Sequence, residues 1–206
     1  ASASGIQVTF SPMADLVRDA RWGRVMESTG EDTYLNSRYA EALVRGYQGD
    51  DPKQPGKIGA CVKHFAGYGA PTAGRDYNNA ELSERTLRDD YLPAYAAAVK
   101  AGALMAMTSF NTLNRIPSSA NRWLLRQVLR EEMGFDGALI SDWAAIEEIM
   151  NHGMAADRRE ARARSSNQES QGPERQSSRA LRRRYEATSR HPAPPWRRTK
   201  SLPQEW

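Results

Sequence analysis

Asp142, Trp143, Lys63, His64 and Arg24 are the residues of this sequence whose types and positions could do chemistry together. Asp142 follows the apolar run 137–141 (GALIS) directly and precedes Trp143. Lys63 closes the run 57–63 (KIGACVK), His64 follows it, and Arg24 sits in the tripeptide WGR. A carboxylate beside an indole, with an ammonium, an imidazole and a guanidinium, suits attack on an acetal carbon. The carboxylate would face the anomeric centre, the nitrogen groups would hydrogen-bond sugar hydroxyls, and the aromatic face would take the ring's C–H surface. Each residue also has a structural reading. Asp142 is equally placed to N-cap a helix over 144–150. A lone His64 between a strand and a glycine-rich loop reads as a satisfied structural histidine, and Lys63 and Arg24 as solvated or paired with Glu27 and Glu31. Those two carboxylates, four apart, read as structural. His152 and His191 read as solvent-facing, and neither has metal-ligand spacing, so no metal is expected.

The elements that must position these residues follow from the hydrophobic pattern. Runs at 5–10, 57–63, 104–109 and 137–141 are apolar enough for parallel strands buried on both faces. Amphipathic stretches at 34–48, 84–100 and 121–133, with 144–150 after the last strand, read as helices. Asn121 is placed as an N-cap and Gly134 as a C-terminal glycine. Alternating strands and helices give an α/β fold around a parallel sheet. The polar residues gather just beyond each strand's C-terminal end: Lys63-His64, Ser109-Phe110-Asn111, Asp142-Trp143. That is the end at which α/β barrels carry their sites. With 206 residues the chain is short for eight such units, so an incomplete (β/α)8 TIM-type barrel is expected.

Composition sets further bounds. The one cysteine, Cys61, has no intramolecular partner, so redox compartment is undetermined. No run of about 18 apolar residues exists, so no membrane span is expected. The first residues lack the basic and apolar regions of a signal peptide. The net charge of +4 is unevenly distributed. Residues 1–157 carry 16 Lys and Arg against 20 Asp and Glu, whereas residues 158–206 carry 13 against 5. That second segment has no Ile, Val, Phe, Met, Cys or Asp, and twelve Arg to one Lys. It cannot bury enough apolar area to offset its ordering entropy, so a disordered Arg/Ser/Pro-rich tail is expected from residue 158. Its arginine excess with almost no lysine is the composition that out-of-frame translation of GC-rich DNA gives. A genuine basic arm is the alternative.

Five blocks carry a resemblance: residues 21–32 (RWGRVMESTGED), 60–69 (ACVKHFAGYG), 74–78 (GRDYN), 107–114 (MTSFNTLN) and 134–146 (GFDGALISDWAAI). In this order they resemble glycoside hydrolase family 3, in its periplasmic β-glucosidase branch. The resemblance implies a retaining exo-β-glucosidase in which Asp142 is the nucleophile that forms the glycosyl-enzyme. It implies that Trp143 flanks the first sugar, that Lys63, His64 and Arg24 bind its hydroxyls, and that Met107 lines the pocket. Phe110 stands where many members have tyrosine, which removes a hydroxyl near Asp142. The implied substrate is a β-glucoside or short oligosaccharide, with no cofactor and no membrane partner, in a periplasmic or secreted location.

Departures from the family's pattern bear on activity. The family's barrel opens with an earlier strand carrying a sugar-binding aspartate, and a second domain gives the acid/base carboxylate; neither is found in this sequence. The resemblance stops at residues 155–157, in mid-domain, which favours a slipped reading frame over an evolved arm. The family's N-acetylglucosaminidase branch uses a loop histidine as acid/base, but the corresponding loop 67–79 (GYGAPTAGRDYNN) has none. An incomplete glycosidase is therefore expected. The rival reading is a non-catalytic barrel remnant whose basic arm, with Tyr185, Trp196 and Trp206, binds nucleic acid or other polyanions.

Overall fold

A computed structural model describes residues 1–166, and the remainder of the basic tail lies outside the described residues. Its centre is β2 (Gly59–Phe65), buried almost throughout as an interior parallel strand must be. β2 is flanked by β1 (Val8–Thr9) and β3 (Met105–Thr108). Beyond β3, a short antiparallel hairpin forms from β4 (Thr112–Leu113) and β5 (Ile116–Pro117), and β6 (Ala138–Ile140) follows. The four long-range strands make one sheet in the order β1-β2-β3-β6, all parallel. This is the expected α/β arrangement, and the sheet is not closed into a barrel. The β2–β3 register shifts between Val62 and Phe65, a stretch that contains the cis peptide Lys63–His64, and a second cis peptide, Phe65–Ala66, follows directly.

The outer strands differ from expectation. The run 5–10 pairs with the sheet only through Val8 and Thr9, and Ile6, Val8 and Phe10 remain exposed, Phe10 by 56%. β6 is only partly buried. Both lie at open sheet edges, where one side of the strand has no neighbour to cover it. Burial on both faces is realised in β2 and nearly so in β3.

Helix α1 (Thr33–Gln48) begins at Asp32, whose carboxylate accepts the Leu35 N–H at 2.7 Å. Its buried residues Asn36, Ala40, Val44 and Gln48 recur every four positions and form one inward stripe. Two of the four are polar, and both are bonded to backbone. Asn36 donates to the Ala14 carbonyl at 3.0 Å. Gln48 accepts from the N–H groups of Ala60 (2.9 Å) and Leu104 (3.1 Å) and donates to the Gly102 carbonyl (2.8 Å), tying the helix end to two strands.

The expected helix 84–100 is divided. α2 (Glu84–Thr86) leads into a π turn over Leu87–Tyr91, and α3 (Pro93–Lys100) follows. Pro93 has no N–H to continue the ladder, and the wide Leu92 N–H to Leu87 carbonyl bond precedes it. The segment Trp123–Glu132 is π-helical and buries Leu124, Leu125, Val128 and Leu129. Asn121 accepts the Leu124 N–H at 3.1 Å, and Gly134 takes φ 71°, so both expected caps are present. α3, this segment and β2 share the core with Phe65 and Tyr95, whose rings meet edge to face at 5.1 Å.

α4 (Ala145–Asn151) follows β6. Residues 158–166, placed in the tail by the sequence, form α5 (Arg158–Ser166), which packs against α4; the rest of the expected disordered tail lies outside the described residues. Asp157 accepts the Glu160 N–H at 2.8 Å, Glu160 accepts the Ala156 N–H at 2.8 Å, and Ala161 is buried. The composition of the whole tail conceals that its first residues, mostly Arg and Ala with Glu160, are good helix formers.

Candidate active site

The site forms where β2 and β6 end. Asp142 lies two residues past β6, and its side chain keeps 16% of its surface exposed. It does not cap α4: the N-cap position is Ala144, in the left-handed region at φ 57°, and no side chain caps the helix. Asp142 Oδ1 instead accepts the Trp143 N–H at 2.6 Å, and Oδ2 lies 3.3 Å from His64 Nε2.

His64 is completely enclosed between two carboxylates. Its Nδ1 is 2.7 Å from Asp15 Oδ2, and the same oxygen accepts the His64 backbone N–H at 3.1 Å. Asp15 Oδ1 lies 2.9 Å from the Tyr95 hydroxyl, which also reaches the His64 carbonyl at 2.6 Å. Asp15 and Tyr95 are both buried. The aspartate therefore spends both oxygens on internal donors, which is how a buried carboxylate is tolerated. Burial pushes the Tyr95 phenol far above its ordinary range, with Asp15 adding to the effect, so it stays a donor.

Arg24 completes the group. Its Nε and Nη2 each donate to Glu27 at 2.7 Å, and Nη1 lies 3.4 Å from His64 Nε2. The hydrogen bonds with Glu27 hold the guanidinium charged and the Glu27 carboxyl below the usual range. The guanidinium also sits over the Tyr68 ring at 5.5 Å. Tyr68 heads an aromatic cluster: Trp22 and His64 meet it edge to face at 5.0 and 5.1 Å, and Phe110 at 5.7 Å. Trp22 is fixed by an indole N–H bond to Asp76 at 2.9 Å.

Arg24, His64 and Asp142 are thus brought together. Lys63 is half-buried beside them in sequence, and its ammonium makes no hydrogen bond or ion pair among the described residues. Trp143 is 87% exposed, and Met107 is buried on β3 opposite Ile140 of β6. His152, expected to face solvent, is half-buried and donates from Nε2 to the Phe110 carbonyl at 3.1 Å. His191 lies outside the described residues. Asp15 and Tyr95 were not singled out by sequence. The available signal was an aspartate inside an otherwise apolar stretch, Met13-Ala14-Asp15-Leu16-Val17. Among the described residues no cluster of His, Cys, Asp or Glu could hold a metal ion, and no helix is long and apolar enough to cross a membrane.

Residues 1–165 match the family model described as glycosyl hydrolase family 3 N terminal domain. The chain belongs to glycosyl hydrolase family 3. It is similar to the periplasmic β-glucosidase of Salmonella typhimurium, with 44% identity over 161 residues, covering 78% of this chain and 21% of that protein. A β-xylosidase of Formosa agariphila is 41% identical over 166 residues, covering 78% and 23%. Among solved structures, a β-glucosidase from Listeria innocua superposes with a TM-score of 0.79 at 55% identity, covering 81% of this chain and 24% of that one. That Listeria protein has also been solved in complex with glucose, and a mutant of it with laminaribiose. The chain spans between a fifth and a quarter of the length of these relatives. The family-3 fold accounts for the parallel sheet as part of a TIM-type barrel.

Proposed function

We propose that this chain carries the nucleophile half of a retaining exo-β-glucosidase site, acting on terminal non-reducing β-D-glucosyl residues. The observation that carries the reading is Asp142. It is a partly open carboxylate past the C-terminal end of a barrel strand, free of capping duty, with His64 on one oxygen and a backbone N–H on the other. In the reaction an Asp142 oxygen bonds the anomeric carbon as the bond to the leaving oxygen breaks. The leaving group takes a proton from an acid, and water then attacks the anomeric carbon, returning a proton to the conjugate base of that acid and freeing the carboxylate, with net retention. Lys63 is proposed as a hydroxyl ligand because its ammonium is uncommitted. His64 and Arg24 present nitrogen groups to the same space, and Trp143 and Met107 are proposed as pocket residues on the family resemblance.

The acid is not supplied by Asp15. That carboxylate is buried behind the His64 ring and has no path to a leaving oxygen. Glucose is proposed over xylose as the glycone because the Salmonella and Listeria relatives carry the β-glucosidase name, and a periplasmic or secreted location is proposed from the Salmonella relative. The test is a dinitrophenyl 2-deoxy-2-fluoro-β-glucoside, whose leaving group departs without a proton. It should add one fluorosugar mass to the peptide containing Ser141-Asp142-Trp143, and Asp142→Asn should abolish the adduct. A folded sample that takes no label would rule out Asp142 as a nucleophile in this chain.

A further inference from the structure

His64 has two ring nitrogens, and their surroundings differ sharply. Nδ1 faces only Asp15, at 2.7 Å, in a fully buried setting. Nε2 faces the partly exposed Asp142, whose Oδ2 is at 3.3 Å, and Arg24 Nη1 at 3.4 Å. A carboxylate only accepts, so the hydrogen between His64 and Asp15 belongs to Nδ1. The backbone N–H of His64 reaches the same Asp15 oxygen, so ring and main chain are pinned at one point. Tyr95 holds the other Asp15 oxygen and prevents the carboxylate from rotating. The ring's remaining contact is edge to face with Tyr68, which supplies no hydrogen-bonding direction. Without Asp15, only the longer contacts of Nε2 with Asp142 and Arg24 would oppose a half-turn of the ring.

We propose that Asp15 is a positioning residue for this site: by accepting both the Nδ1–H and the backbone N–H of His64, it fixes the tautomer and orientation that set Nε2 against Asp142. The link to catalysis rests on Asp142 being the nucleophile; the link to His64 stands independently of that. A one-atom difference between two variants separates positioning from bulk stability. In Asp15→Asn the amide oxygen is kept on the His64 side by the backbone N–H, and the amide NH2 falls toward the Tyr95 oxygen, which can accept from it. The acceptor survives and only the charge is lost. In Asp15→Ala the acceptor itself is gone.

The experiment uses the full chain with nitrogen-15 histidine. Long-range proton–nitrogen spectra report which nitrogen of each imidazole carries hydrogen, and His64→Gln assigns the His64 signals among the three histidines. The unsubstituted chain and Asp15→Asn should both show a hydrogen on Nδ1, whereas Asp15→Ala should show the Nε2–H form or exchange between the two. In the fluoroglucoside reaction, scaled to folded protein, Asp15→Asn should label within a few-fold of the parent. Asp15→Ala should label about 10- to 100-fold more slowly, the cost typical of a reacting group displaced by about 1 Å. A parent spectrum lacking hydrogen on Nδ1 overturns the proposal even if the alanine variant does not fold. Equal labelling by folded alanine and asparagine variants overturns it too. If the parent takes no label but its spectra are as expected, the nucleophile reading fails while the assignment of Asp15 to His64 stands.

Discussion

Gly69 is where the loop after β2 presses against the segment that carries Asp15, and alanine there should be costly. A Cβ built on Gly69 would stand 2.3 Å from the Leu16 carbonyl oxygen and 2.9 Å from Val17 Cγ2, whereas ordinary contact begins at 3.4 Å. The obstacle is backbone, and Leu16, Val17 and Tyr68 around it are all buried, so no flexible side chain can yield. Restoring contact requires a shift of about 1 Å in a packed core, and overpacking of this kind costs about 1–3 kcal/mol. At about 2–4 °C per kcal/mol for a domain of this size, Gly69→Ala should lower Tm by roughly 2–12 °C. Gly46 is the matched control. It is exposed within α1, and a Cβ there would meet nothing within 4 Å. Alanine is the better helix former by about 0.8–1 kcal/mol, so Gly46→Ala should raise Tm by roughly 2–4 °C. Thermal unfolding followed by far-ultraviolet circular dichroism, checked by urea titration, measures both. If Gly69→Ala matched the parent within about 0.5 kcal/mol, the close approach of the loop to Leu16 would be wrong, and with it the rigid seat assigned to Asp15.

Two further outcomes follow from buried or paired groups. Burial pushes the Cys61 thiol from its ordinary 9.0 up to about 12, so the folded chain should resist iodoacetamide at pH 8 and react once unfolded in urea. Because the fold keeps that proton, Cys61's contribution to stability should be intact below about pH 9 and lost as pH rises toward 12; alkylation of the folded chain at a free-thiol rate would contradict this. Arg88 donates to Glu132 at 2.6 and 3.1 Å and holds that carboxyl below its usual range. The stabilisation should be present above the ordinary carboxylate range and fade as pH falls through the lowered value. Arg88→Ala should therefore destabilise by up to about 1 kcal/mol at pH 7 and by less at pH 3, and a penalty that grew on acidification would refute the pairing.

The strand centres were legible because parallel strands need unbroken apolar runs, and 57–63, 104–109 and 137–141 have them. Their extents were not, since exposure of Ile6 and Phe10 depends on which neighbours the sheet offers. The helix expected over 84–100 runs straight through Pro93, whose missing N–H is the signal for the break, and nothing local hints at the π turn that accommodates it. The candidate site was legible at the strand ends: Asp142 follows β6, and His64 is the penultimate residue of β2, one place beyond the apolar run 57–63. Asp15 was not, because its meaning lies in a contact to His64 across 49 positions of chain, which no local pattern records. Asp142 looked like a cap because caps are recognised by spacing alone. The left-handed Ala144 ends the turn first and leaves the carboxylate free. α5 was hidden by averaging: its Arg, Ala and Glu residues were counted with a tail of different composition.

The sheet order β1-β2-β3-β6 is also the order in which the strands are synthesised. Each new strand docks on the outer edge of the one before it, so none has to be inserted between two that are already paired. Loop-closure entropy is met one crossover at a time, and it grows only slowly with loop length. The ribosome delivers about 5–20 residues per second, slowly enough for each unit to settle before the next appears. The candidate site is encoded in the same order: Asp15 comes first, His64 with β2, and Asp142 last, just after the strand that pairs with β3.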